Sequence, residues 1–244
     1  MALYFISIGL NDSKDISLKG LETVKKCAKV YLEGYTSVLN CPVSDLEKLY
    51  GKKVIIADRD LVESKAGETI LKDAEEQNTA FLVVGDVFSA TTHMDLWLRA
   101  KEKGIETIAI HNASVLTAVG ITGLELYKFG KVTSIPFHNK DVKSPIEVLK
   151  QNQKMGLHTL FLLDLDPKEK KFLAINDAAA YLIKNRVPKD TKAVACCALG
   201  SSHPLLKYGA LEILQKESFS KFPQSLIIPG KLHFMEEKAL ELLA

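Results

Sequence analysis

The chain has 244 residues, 47% hydrophobic and 25% charged, with 32 Lys and Arg against 30 Asp and Glu, for a formal net charge of +2. That composition is ordinary for a globular protein and lacks the concentrated basic stripe of a nucleic-acid binder, so no nucleic-acid partner is expected. Cys27, Cys41, Cys196 and Cys197 form no Cys-x-x-Cys pair and read as reduced, packed thiols, which argues against a disulfide scaffold and fits the cytoplasm.

In chain order, Leu3–Ile8 reads as a first strand. It is too short to span a membrane and no basic region precedes it, so no membrane partner is expected. Ser17 is placed to cap a helix carrying Leu18, Leu21, Val24 and Ala28 at three-to-four spacing. Val30–Leu32, Val54–Ala57, Ala80–Val84 and Glu106–Ile110 read as further strands. Helices are expected from about Lys65 to Gln77 and from Thr92 to Lys103. Repeated β–α units with short connections predict a parallel sheet covered on both faces, with the turns after Ile8, Val84 and Ile110 along one edge. Ala80–Val84 stops at Gly85–Asp86, and Thr92 with Asp95 has the form of a capping box. Such a strand–Gly–Asp–helix junction lies at the carboxyl edge, where open α/β sheets hold ligands.

The second half changes rhythm. Val132–Phe137 reads as a strand, and Ser144–Pro145–Ile146–Glu147 predicts a helix capped by Ser144 and ending at Gly156. Thr159–Leu163, Ala193–Leu199 and Leu226–Ile228 read as strands, and Asp177–Lys184 and Phe234–Leu243 as helices. A hinge near Asn112 divides the chain into domains 1–111 and 112–244. His93, His111, His138, His158, His203 and His233 lack metal-type spacing, so no metal is expected. Asp164 and Asp166 read as a solvated strand exit. Ser201–Ser202–His203 has no Gly-x-Ser-x-Gly elbow around it, and no Gly-x-Gly-x-x-Gly supports a nicotinamide site. No residue stands out as catalytic.

Gly85–Asp86–Val87–Phe88–Ser89–Ala90–Thr91–Thr92–His93 resembles the Gly-Asp-Pro-x-x-Ala-Thr-Thr-His segment of the diphthine synthase family, methyltransferases of the tetrapyrrole methylase superfamily that use S-adenosyl-L-methionine. It departs once, with Val87 where the family usually has proline; valine keeps apolar bulk but loosens the backbone and adds an N–H. Further stretches resemble the family's other signatures, in family order. These are Ile8–Gly9–Leu10 with Asp15–Ile16–Ser17, Ala57–Asp58–Arg59 with Val62–Glu63, His111–Asn112–Ala113–Ser114–Val115, and Ile227–Ile228–Pro229–Gly230–Lys231–Leu232–His233.

The resemblance implies an α/β fold of two α/β/α lobes, the first with a mostly parallel sheet and the second with a mixed one, and the cofactor in the cleft between. It implies that Leu10, Asp86, Ser89, Ser114, Val115, Leu163, Leu199 and His233 line the cofactor. From their positions alone, Ser114 reads as an N-cap, Leu163 and Leu199 as core leucines and His233 as a helix-entry histidine. The implied substrate is the aminocarboxypropyl-histidine of translation elongation factor 2, and the implied assembly a homodimer. Two other readings are a methyltransferase for a tetrapyrrole ring carbon and a cofactor-binding regulator without turnover. The wording of Ala90–Thr91–Thr92–His93 and Lys231–Leu232–His233 argues against the first, and only Val87 supports the second.

Overall fold

The computed structural model describes residues 1–244, which gather into two compact units, Met1–Leu116 and Thr117–Ala244. The division falls after Leu116 rather than after His111, because Asn112 stays bound to the first unit through Ser7 O and Asp15 O. No helix is long and apolar enough to cross a membrane.

The first unit runs β1 (Ala2–Ser7), α1 (Leu18–Lys26), β2 (Lys29–Glu33), α2 (Val43–Tyr50), β3 (Ile55–Ala57), α3 (Arg59–Glu63), α4 (Ile70–Glu76), β4 (Thr79–Val83), α5 (Met94–Glu102) and β5 (Glu106–Ile110). Its strands pair in the order β3-β2-β4-β1-β5, all parallel. Alternate residues go to opposite faces. Phe5, Phe81 and Val83 pack with Leu96 and Ala100 on one side; Ile6, Val30 and Leu82 pack with Val24 and Leu46 on the other. Both faces are covered, which is why β4 is apolar without alternation.

Local signals succeed and fail for identifiable reasons. Ser17 Oγ accepts the Gly20 N–H at 3.1 Å, the expected cap of α1. The helix expected from Lys65 to Gln77 is instead a 3-10 turn at Ala66–Glu68 followed by α4; Thr69, at φ −125° and ψ −93°, separates the two. The Thr92–Asp95 capping box does not form. Thr92 offers its backbone oxygen to the Asp95 N–H, and α5 starts at Met94 with no side-chain cap. The sequence gives no clear signal for α2, whose two turns bury only Leu46 and Tyr50.

The chain then continues through α6 (Val115–Ala118) into β6 (Thr133–Ile135), α7 (Ser144–Lys154), β7 (Thr159–Leu163), a hairpin of β8 (Leu165–Asp166) and β9 (Lys171–Phe172), and α8 (Ile175–Lys184). It closes with β10 (Lys192–Cys197), β11 (Leu205–Ala210), α9 (Leu211–Leu214), β12 (Gln224–Ile228) and α10 (Phe234–Glu241). The five-stranded sheet has the order β11-β10-β12-β7-β6, with β6 and β7 parallel and the rest antiparallel. It is the mixed sheet expected. Ser144 is the first residue of α7 rather than its cap, a position taken by Lys143. Phe161, Leu163, Leu226 and Ile228 pack with Ile175, Leu182 and Leu211 in the core of this unit.

Candidate active site

Because β1 lies between β4 and β5, the loops after these three strands leave the carboxyl edge of the first sheet side by side. The first two are joined by the Gly85 N–H, which donates to Gly9 O at 2.7 Å. Both glycines sit at φ +84°, and a Cβ on Gly9 would lie 2.3 Å from Asp15 Cβ, so that position takes no side chain. Asp15 Oδ2 accepts the N–H groups of Leu10 at 3.2 Å and Asn11 at 2.7 Å, which holds the loop after β1.

Asp86 is the hub of this edge and is only 7% exposed. Its Oδ2 accepts from His111 Nδ1 at 2.8 Å, Ser7 Oγ at 3.3 Å and the Asn112 N–H at 3.3 Å. Its Oδ1 accepts from the Phe88 N–H at 3.2 Å and Ser89 Oγ at 3.1 Å. Burial alone would raise the carboxyl pKa, but His111, the two backbone donors and Ser89 outweigh it and hold the group below its ordinary value. Asp86 is therefore an anion whose acceptor capacity is largely taken up inside the protein. Asn112 ties the third loop to the first: its Nδ2 donates to Asp15 O at 2.9 Å and Ser7 O at 3.3 Å.

The N–H that separates Val87 from proline is paired. It donates to Ser7 Oγ at 2.9 Å, while the Ser7 hydroxyl itself donates to Asp86. Ser7→Ala leaves a buried N–H without an acceptor, at a cost of about 1–3 kcal/mol, or roughly 2–12 °C in Tm by calorimetry. Adding Val87→Pro to that variant removes the orphaned donor and recovers part of the loss. A Ser7→Ala protein melting with the wild type would show the bond to be dispensable.

Of the sequence-derived candidates, Leu10, Asp86, Ser89, Ser114 and Val115 come together at this edge. Ser114 is buried and its Oγ accepts the Leu116 N–H at 3.2 Å, in the manner of an N-cap, while Val115 opens α6. Leu163, Leu199 and His233 belong to the second unit. Leu163 ends β7 within the core, and Leu199 follows β10 after Ala198, which sits at φ 49°. Since β12 is antiparallel to both β7 and β10, these two leucines lie at the same end of the sheet. The chain reaches His233 from the other end of β12. There His233 caps α10, its Nδ1 accepting the Met235 N–H at 3.4 Å and its own N–H donating to Glu236 Oε2 at 2.8 Å.

Sequence reasoning did not single out Ser7, His111 or Asn112 as site residues. The signal for the last two was their position at the end of β5, one of the turns expected along this edge.

A profile of the family described as Tetrapyrrole (Corrin/Porphyrin) Methylases matches residues 2–212. The chain is 43% identical over 253 residues to the diphthine synthase of Methanocaldococcus jannaschii, covering 99% of this chain and 98% of that protein. It is 41% identical over 271 residues to the diphthine methyl ester synthase of Homo sapiens, covering 99% and 95%. A solved structure of a diphthine synthase superposes with a TM-score of 0.94 at 37% identity, covering 100% of this chain and 96% of that one. These relatives are named for diphthine chemistry and not for a tetrapyrrole product. With its parallel and mixed sheets and its full-length similarity, the chain belongs to the diphthine synthase family of S-adenosylmethionine-dependent methyltransferases.

Proposed function

We propose that this enzyme methylates the amino nitrogen of the aminocarboxypropyl-histidine on translation elongation factor 2, a step of diphthamide biosynthesis. The methyl donor is S-adenosyl-L-methionine and the product S-adenosyl-L-homocysteine; the setting is the cytoplasm and the assembly a homodimer. The observation that carries the reading is identity above 40% across nearly the whole length of proteins named diphthine synthase and diphthine methyl ester synthase.

The residues at the carboxyl edge of the first unit fit that cofactor. Gly85 carries no side chain, and the space a Cβ there would enter is bordered by Leu10 Cδ2 at 3.7 Å and Ala113 O at 4.0 Å. When bound, the cofactor supplies an electrophilic methyl on a positively charged sulfur, with a neutral thioether as leaving group. Leu10 and Val115 offer apolar contact that excludes water. Asp86 places a fixed negative charge beneath the loop, and Ser89 and Ser114 add polar contacts. Leu163, Leu199 and His233 of the second unit are assigned to the cofactor on the family resemblance. Holding nucleophile and methyl group in line supplies roughly 7–11 kcal/mol of the barrier, so alignment and dryness are the main contributions of these residues.

Purified precursor elongation factor, incubated with the protein and S-adenosyl-L-methionine, gains methyl masses stepwise in mass spectrometry. A series ending at the trimethylammonium marks the diphthine product, and one further addition marks the methyl ester. Cofactor binding without any gain in mass overturns the enzymatic reading in favour of a regulator.

A further inference from the structure

An amine attacks a methyl group only through a free electron pair, and an aliphatic amine near neutral pH is mostly protonated. Each methyl added to nitrogen therefore displaces one proton, which must go to an acceptor. We propose that His111 is that acceptor, a role that rests on the reaction assigned above.

The geometry specifies which nitrogen is basic. Asp86 is ionised and acceptor-only, so the 2.8 Å contact requires a hydrogen on His111 Nδ1 and leaves the ring's lone pair on Nε2. Nε2 makes no hydrogen bond within the protein, and the side chain is 67% exposed while that of Asp86 is 8% exposed. The ring is steadied by Phe88, with centroids 6.3 Å apart. A buried carboxylate thus holds an exposed imidazole in one tautomer, with its basic nitrogen turned outward. The ring stands at the edge that carries Leu10, Gly85 and Ser114. The acidic group bonded to it is Asp86, from the loop after β4; the Asp15 carboxylate, on the loop after β1, is engaged by the Leu10 and Asn11 N–H groups.

In the step, Nε2 takes a proton from the substrate ammonium. The freed nitrogen pair forms the N–C bond as the C–S bond breaks, its electrons remaining on sulfur. The imidazolium, stabilised by Asp86, then loses its proton to solvent, and the ring is ready for the next methyl.

His111→Asn separates this role from simple support of Asp86, because the amide still donates an N–H but cannot act as a base. Relative to wild type, the variant's kcat falls about 10²–10⁴-fold near pH 7 and rises with pH as the amine deprotonates unaided. Its calorimetric affinity for S-adenosyl-L-methionine stays within a few-fold of wild type. Independently of turnover, nitrogen-15 NMR of the free wild-type protein shows His111 with a protonated Nδ1 and a bare Nε2. Three results overturn the role of His111 alone: a variant with near-wild-type kcat, a rate loss matched by an equal loss of cofactor affinity, or an Nε2–H tautomer. A wild-type protein that never methylates the factor overturns the assigned reaction, and the role of His111 with it.

Discussion

Asp86→Ala weakens binding of S-adenosyl-L-methionine at least about tenfold, a loss of about 1.4 kcal/mol, and lowers stability by about 2–4 kcal/mol. Both effects come from the same five donors. Without the carboxylate, the His111 ring, the hydroxyls of Ser7 and Ser89 and the backbone N–H groups of Phe88 and Asn112 lose their shared acceptor, and three loops lose their common anchor. Asp86→Asn is the informative companion. It preserves size but removes the charge, and its NH₂ group points a donor at donors, so it recovers little of the affinity. Isothermal titration calorimetry on the folded variants reads the first effect and thermal unfolding the second. An alanine variant that is folded and binds the cofactor as tightly as wild type refutes the assignment of Asp86 to the site.

Glu236→Gln destabilises the second unit by about 3–5 kcal/mol, since it removes the anion from a buried cluster. Glu236 is 0% exposed and accepts from His158 Nε2 at 2.8 Å, the Glu125 N–H at 2.9 Å, the His233 N–H at 2.8 Å and Lys128 Nζ. Burial pushes its pKa up, but the Glu125 N–H, Lys128, the His233 N–H and His158 together pull it down to about 2. The folded value lies below the ordinary 4.5, so the unfolded chain takes up the proton first on acidification. The stabilisation is complete above pH 4.5 and is lost as pH falls towards 2. His158 acts in the same direction. Burial holds its pKa below 6.5, so the unfolded state gains its proton earlier and stability declines as pH drops through that value. Thermal unfolding followed from neutral to acid pH therefore shows the wild-type Tm descending towards that of the variant. Curves that stay parallel across the range rule out this cluster as a source of acid sensitivity.

Much of the first unit was legible because each of its strands carries its own signal. A run such as Ala80–Val84 is continuous only if both faces are covered, and its stop at Gly85–Asp86 marks the carboxyl edge. The second unit's sheet was legible in part. β11 is an edge strand with intermediate exposure at Leu205–Tyr208, and its sequence lacks a clean alternation. Capping motifs failed where a neighbour took the position, as His93 does ahead of α5 and Lys143 ahead of α7. The least legible residue was Ser7. A small polar side chain at the end of a buried strand looks merely tolerated, and its partner Val87 lies 80 positions further on. Only the register of β1 against β4 brings the two together, and register is a property of the sheet rather than of either segment.

The bonds around Asp86 join residues separated by 79 positions to Ser7 and 25 to His111, and parallel strands offer no hairpin that could bring such partners together locally. Contacts of this span are costly to close and slow to form, so the carboxyl edge matures only after β1 has docked between its neighbours. A chain halted before His111 leaves the synthesising ribosome has the Gly85–Asp86 corner but lacks the His111 and Asn112 donors that complete its bracing. A nucleoside that recognises the finished edge alone reports complete folding of the first unit. At a hundred times its dissociation constant it protects that unit by about 2.7 kcal/mol through mass action.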